Sequence, residues 1–298
     1  MNIQILSPII SDTLRAATPL ILAAPGELVT EKSGVLNLGV EGMMLIGAVA
    51  GFIVTVVTGN IYLGLLIALI SGIAIALIHA VLTITIGANQ VATGLALSIF
   101  ASGLSAFVGA DYVGKTITGL QPILKSIPFL NQDIVVYLSI ILVILVSFFL
   151  RKTRLGLVLR SVGESPEAAD ALGLPVVRVR YFAVMFGGAM AGLAGGYLSL
   201  AYTPLWAENM TAGRGWIAIA LVVFATWKPI RILYGAYLFG GVSAIQLIVQ
   251  GLGFDISPYL LSSLPYLATI LVLVIISRDA TRIQLVAPAS LGEPFHSR

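Results

Sequence analysis

Three short stretches of this sequence hold the side chains that could do chemistry. The first, Gly26–Gly47, reads GELVTEKSGVLNLGVEGMMLIG and sets Glu27, Glu31, Lys32, Asn37 and Glu41 among apolar residues. The second, Ala88–Gly94 (ANQVATG), carries Asn89, Gln90 and Thr93. The third, Tyr202–Trp216 (YTPLWAENMTAGRGW), combines Tyr202, Trp206 and Trp216 with Glu208, Asn209 and Arg214. Amides donate and accept hydrogen bonds, and aromatic rings stack on planar solutes. The amides of Asn89 and Gln90 therefore suit a polar, uncharged solute. The set does not suit catalysis, because no Ser/His/Asp set or paired carboxylates suggest it. With no cysteine and two histidines in the chain, no metal site is expected.

Each stretch also has a plainer reading. Glu31 and Lys32 read as a solvated cytoplasmic hairpin. Asn37 and Glu41 either line or gate a pathway or belong to that hairpin, since ionisable groups near a membrane interior usually face a bundle core or a water-filled cavity. Closely spaced glycines at 34, 39, 42 and 47 fit a discontinuous helix pair. Asn89 caps a helix and Gln90 bonds between helices, or both face a solute. His79 reads as an interhelical hydrogen-bond partner. The aromatic rings form an interfacial belt or line a vestibule. Arg214 opens a short helix and could pair with Glu208.

The elements that position these residues follow from charge spacing. The chain has 298 residues, of which 58% are hydrophobic and 10% charged, against roughly 25% charged in soluble domains. A soluble globule, a disordered chain and a coiled coil are excluded. No Asp, Glu, Lys or Arg occurs between Glu41 and Asp111, Arg180 and Glu208, Arg231 and Asp255, or Asp255 and Arg278. At about 20 apolar residues per crossing, the first run holds three spans and the others about one each. The expectation is an all-α polytopic membrane protein, a single transmembrane domain over 1–298. Nine spans are expected, near 9–28, 35–58, 61–85, 90–109, 134–150, 181–203, 214–227, 232–251 and 263–277. The seventh is short and reads as tilted, broken or re-entrant. No removable signal peptide is evident.

Six of the sixteen basic residues (Arg151, Lys152, Arg154, Arg160, Arg178 and Arg180) fall in the loop 151–180, which the positive-inside rule puts in the cytoplasm. Counting outward gives an N-terminus outside and a C-terminus inside, with the loop 110–133 external. In the cytoplasmic loop, Ser165 or its predecessor caps a short helix begun by Pro166 and Glu167 and ended at Gly173. Such a helix is either a docking element or part of a solvated loop held by lipid headgroups. Gly188, Gly192 and Gly196 form a small-residue ridge for close helix contact, within the chain or between subunits. Residues 109–116 (GADYVGKT) match a phosphate-binding loop pattern, but a span precedes them and no strand does, so no nucleotide site is expected there.

The string GELVTEKSGVLNLGVEGMMLIGA resembles the signature of permease subunits of bacterial ABC importers in the branched-chain amino acid, ribose and nucleoside group. ANQVATGLALS, GESPEAADALGL and TAGRGWIAIALVVFATWKP follow in the family's order, so the resemblance covers essentially the whole chain. LNLGVEGMM, ANQV and GRGWIA look most like the nucleoside (or simple-sugar) branch. The resemblance implies a multi-pass protein of a bacterial cytoplasmic membrane that lines a translocation pathway. Its implied partners are a second, different permease chain, an ABC ATPase, an extracytoplasmic substrate-binding lipoprotein and membrane lipid, with no nucleic acid polymer. ATP and Mg would bind the ATPase, and no cofactor this chain. Pathway candidates are Asn37, Glu41, Asn89, Gln90, Thr93, Trp206, Asn209 and Arg214. Coupling to the ATPase is implied for Gly163, Glu164, Pro166, Ala168, Ala169, Leu172 and Gly173. Pro25, where an apolar residue such as Leu is common, and Gly87, where a basic residue is common, depart from the family pattern. The implied solute is a nucleoside. Alternatives are a ribose-like sugar, or an ion-coupled carrier using Glu41 or His79.

Overall fold

The computed structural model describes residues 3–123, 131–251, 257–277 and 286–295. Among the described residues the elements are helical: α1 (Ile3–Lys32), α2 (Val40–Thr58), α3 (Ile61–Ala80), α4 (Gln90–Gly109), α5 (Ile134–Lys152), α6 (Arg154–Glu164), α7 (Pro166–Ala171), α8 (Val176–Tyr197), α9 (Arg214–Phe224), α10 (Pro229–Gly251) and α11 (Pro258–Ser277). π-Helical turns extend α3 to Thr85 and α8 to Tyr202. Their polar starts follow local chemistry. The side chains of Asn60, Asp133 and Thr153 accept first-turn backbone N–H groups at α3, α5 and α6. Ser165 does the same at α7, with Pro166 in the first turn.

Among the described residues, five helices are long and apolar enough to cross a membrane: α2, the extended α3, α4 with the turn after it, α5 and the extended α8. Length and composition thus support five of the nine expected crossings. α1, α10 and α11 coincide with three more, and the seventh, 214–227, contains the 11-residue α9. At 1.5 Å per residue α9 is about 16 Å long, roughly half a hydrocarbon core. Two expected boundaries are corrected. The second span was expected from residue 35, but α2 begins at Val40 and residues 33–39 are non-helical. Arg180 was placed in the cytoplasmic loop, but it lies inside α8 and is 1% exposed.

The bundle is organised around α8, which packs along α1, α2 and α3. The glycine ridge makes this contact internal. A methyl group added to Gly192 would strike the Ala68 carbonyl and the backbone of Gly72 on α3, and one added to Gly47 on α2 would strike Gly192. Close backbone approach lets small residues gain packing where lipid supplies no hydrophobic drive between helices. Gly103 of α4 has open space around it. Gly192→Val should therefore destabilise by about 1–3 kcal/mol or more, whereas Gly103→Ala should be neutral or stabilise by about 0.5–1 kcal/mol. Melting curves of the detergent-solubilised protein check the contrast; equal Tm values for the two variants would refute the packing account.

Candidate functional site

Residues 33–39, between α1 and α2, leave the helix yet are largely buried. Their backbone groups have no ladder, so side chains from other elements partner them. The Asn37 N–H donates to Glu27 Oε1 of α1 (3.1 Å), and the Leu36 N–H to Gln90 Oε1 of α4 (2.7 Å). The Leu36 carbonyl lies 3.2 Å from His79 Nε2 of α3, and the Leu38 carbonyl accepts from Ser98 Oγ of α4 (2.9 Å). The Ser33 carbonyl accepts from Arg180 Nε of α8 (3.2 Å). Asn37 itself is fully buried; its Oδ1 accepts the Gly39 N–H (2.9 Å) and its amide reaches Met43 Sδ (3.5 Å).

A second break lies at the start of α9. Gly213, in the left-handed region at φ 80°, provides no side-chain cap. Glu41 of α2, 6% exposed, replaces it. Its Oε1 accepts from Thr211 Oγ1 (2.5 Å) and the Gly213 N–H (2.8 Å), and its Oε2 accepts the Gly215 N–H (2.6 Å). A helix N-terminus carries partial positive charge and free N–H groups, so this one is neutralised by a carboxylate of its own chain. Gly215 is required there, since an added Cβ would come 2.5 Å from Glu41 Cα.

The structure thus brings Asn37 and Gln90 together at the first break, and Glu41 beside Arg214 at the second. Asn89 is exposed and caps α4 through the Ala92 N–H (2.9 Å), and Thr93 is half-buried on the next turn. Arg214 donates to the Met210 and Thr211 carbonyls (3.3 and 3.2 Å) and lies over the Tyr202 ring, not against Glu208. Asn209 is exposed in a turn with φ 54°. Trp206 is buried apart from both breaks, its indole packed against Gly109. The segment after α4 pairs with the same loop, through Thr116 to Leu205 and the Ile117 N–H to the Pro204 carbonyl (3.2 Å).

At α6–α7, Gly163, Pro166 and Ala169 are buried, whereas Glu164, Ala168 and Leu172 are exposed on either side of the extended Ser165, and Gly173 is left-handed at φ 78°. Leu172 is 81% exposed, an apolar tip presented outward.

The solvated hairpin expected for Glu31 and Lys32 is overturned. Glu31 is buried and accepts from Trp227 Nε1 (2.5 Å), while Lys32 donates to the Val286 carbonyl (3.1 Å) and faces the Trp227 ring. Sequence reasoning missed Ser98, Arg180, Ser290 and Trp227; only the isolation of Arg180 at the edge of an apolar run signalled any of them. Among the described residues no three His, Cys, Asp or Glu side chains gather as a metal site would need. A cavity of about 550 Å³ between α1, α5, α6 and α8 is apolar, lined by residues such as Leu142, Phe149, Leu155 and Phe182, and offers nothing to a polar solute.

Glu41→Ala would strand Thr211 and two N–H groups that now bond to a charge, a loss of about 3 kcal/mol or more. Glu41→Gln keeps a carbonyl acceptor and should cost about half as much. Thermal melting of the purified protein should rank wild type above Gln above Ala; an Ala variant as stable as wild type would remove Glu41 from this role.

A family profile described as branched-chain amino acid transport system / permease component matches residues 9–276. A protein of Haloferax volcanii provisionally named a glucose ABC transporter permease (TsgC13) is 43% identical, covering 97% of each chain. The guanosine ABC transporter permease NupQ of Bacillus subtilis is 36% identical over 91% of this chain and 92% of its own. The nucleoside ABC transporter permease NupC of Lactococcus lactis subsp. cremoris is 30% identical over 92% and 93%. No solved structure matches the chain.

Proposed function

The chain belongs to the branched-chain amino acid transport permease family and is an ABC permease of the sugar or nucleoside type, and from that premise we propose that it helps form a pathway for uncharged nucleosides. As a permease subunit it is not an enzyme; hydrolysis belongs to a separate ATPase. The observation that carries the solute reading is the start of α9. In transporters, half-helix N-termini at helix breaks often hold an anionic substrate group. Here Glu41 occupies that place with three hydrogen bonds, which favours a neutral solute. The amides of Asn37 and Gln90 hold the neighbouring break together, and the guanosine and nucleoside relatives favour a nucleoside. A second reading, a neutral sugar such as glucose, is favoured by the 43% identity to the Haloferax protein.

In this proposal transport is driven by ATP bound with Mg to the partner ATPase, which docks on the exposed surface of α6–α7 that includes Glu164, Ala168 and Leu172. A second permease chain completes the pathway and a substrate-binding lipoprotein delivers the solute from outside. The N-terminus is outside and α6–α7 cytoplasmic. Uptake of labelled guanosine, uridine and glucose by cells carrying the complete complex tests this. Nucleoside uptake is expected, reduced at least ten-fold by Glu164→Arg and by Ala168→Arg. Glucose uptake alone would establish the second reading. Uptake indifferent to both variants but abolished by an uncoupler would overturn ATP-driven transport.

A further inference from the structure

Residues 286–295 cross the end of the bundle where α1 stops and α8 starts, and they touch both α6–α7 and the buried break. On the α6–α7 side, the Ser290 N–H and Oγ both donate to the Gly163 carbonyl (3.1 and 2.8 Å). Phe295 is buried in a separate apolar cluster with Val162, Ala169 and Val176, beneath α7. On the other side, the Gly292 N–H donates to the Gly34 carbonyl (3.2 Å), Lys32 Nζ to the Val286 carbonyl (3.1 Å) and Gln90 Nε2 to the Glu293 carbonyl (3.3 Å). Gln90 also holds the Leu36 N–H, so one amide joins this segment to the break.

Arg180 is the hub. Its Nε bonds the Ser33 carbonyl, its Nη2 the Ser290 hydroxyl (3.2 Å) and its Nη1 the Glu293 carbonyl (3.4 Å), and its guanidinium lies 5.8 Å from the Phe295 ring centre. Beside the segment, the Gly163 backbone of α6 itself sits against Lys32 and Gly34; the segment adds the bonds that tie Ser33, Gly34 and Leu36 to the α6–α7 side. Hydrogen bonds weaken steeply with misalignment and packed interfaces shift between discrete arrangements. A displacement of α7 must therefore break this network or carry the break with it.

We propose that residues 286–295 are a transmission strap that makes α6–α7 and the buried break carrying Asn37 move as one body. The proposal rests on the reading of α7 as the element that meets the ATPase. The strap positions the pathway; it does not touch the solute.

The test uses the complete complex in proteoliposomes, with labelled guanosine and glucose as probes and ATP hydrolysis measured alongside. Phe295→Asp, which puts a charge in the apolar seat, and Ser290→Ala should each cut uptake per complex at least ten-fold while hydrolysis stays within three-fold. Uptake within two-fold of wild type, or uptake and hydrolysis falling in parallel, would overturn the strap. A second arm holds if those variants fold poorly. The chain has no cysteine, so Ala169→Cys with Phe295→Cys can be joined by a cleavable thiol cross-linker. Uptake should be the same before and after joining; loss on joining that cleavage restores would mean that strap and helix part in each cycle, against the proposal. Glu164→Arg separates the two readings. If it leaves uptake intact, the docking reading falls and the strap with it; if it abolishes uptake while Phe295→Asp does not, only the strap falls.

Discussion

A backbone N–H or C=O taken out of water must find a partner, and in a bilayer core each failure costs several kcal/mol. Residues 33–39 raise that demand sharply, because they leave the helix while buried. The rest of the bundle answers it from several directions. α1 offers Glu27, α3 His79, α4 Gln90 and Ser98, and α8 Arg180. These helices are thereby tied to one short segment, and the glycine contacts of α2, α3 and α8 bring the backbones close enough for the bonds to form.

The start of α9 obeys the same rule with a charge added. An uncapped half-helix end would leave free donors and a partial positive charge inside the protein. Glu41 removes both, and its own charge is distributed over Thr211, Gly213 and Gly215. Two interruptions of regular helix therefore sit on either side of the first turn of α2, one held by neutral and charged side chains, the other by a carboxylate. Irregular backbone in a membrane protein is tolerated where protein buries it or water lines it, and the polar groups that hold these two breaks, Glu27, Asn37, Glu41, Gln90 and Arg180, are buried in the bundle. The exposed face of α5, with Leu138, Ile141, Ile144, Leu145 and Phe148, is correspondingly apolar.

α6 and α7 connect this interior to the outside of the bundle. Their buried residues, Gly163, Pro166 and Ala169, face the bundle end, while Glu164, Ala168 and Leu172 face away. The break at Ser165 turns the chain between α6 and α7, and this short segment carries an outer surface and an inner contact at once.

What the sequence determined by itself was local or one-dimensional. The charge-free runs implied a helical membrane chain and Ser165-Pro166 with Gly173 a short capped helix, and α7 follows the latter signal; Asn89 read as a cap or a solute contact, and it caps α4; 214–227 read as tilted, broken or re-entrant, and it holds the 11-residue α9. Each depends on residues within a few positions of one another, where propensity and capping act. Partners far apart in the chain were decided only in three dimensions. Glu31 meets Trp227, Arg180 meets Ser290, and Glu41 meets the start of α9, over separations of 196, 110 and about 170 residues. A charge beside an apolar run reads the same whether water or a distant side chain completes its hydrogen bonds. Only the packing of α1, α8 and α9 chose between them, because burial leaves a polar group no partner except the ones the fold brings to it.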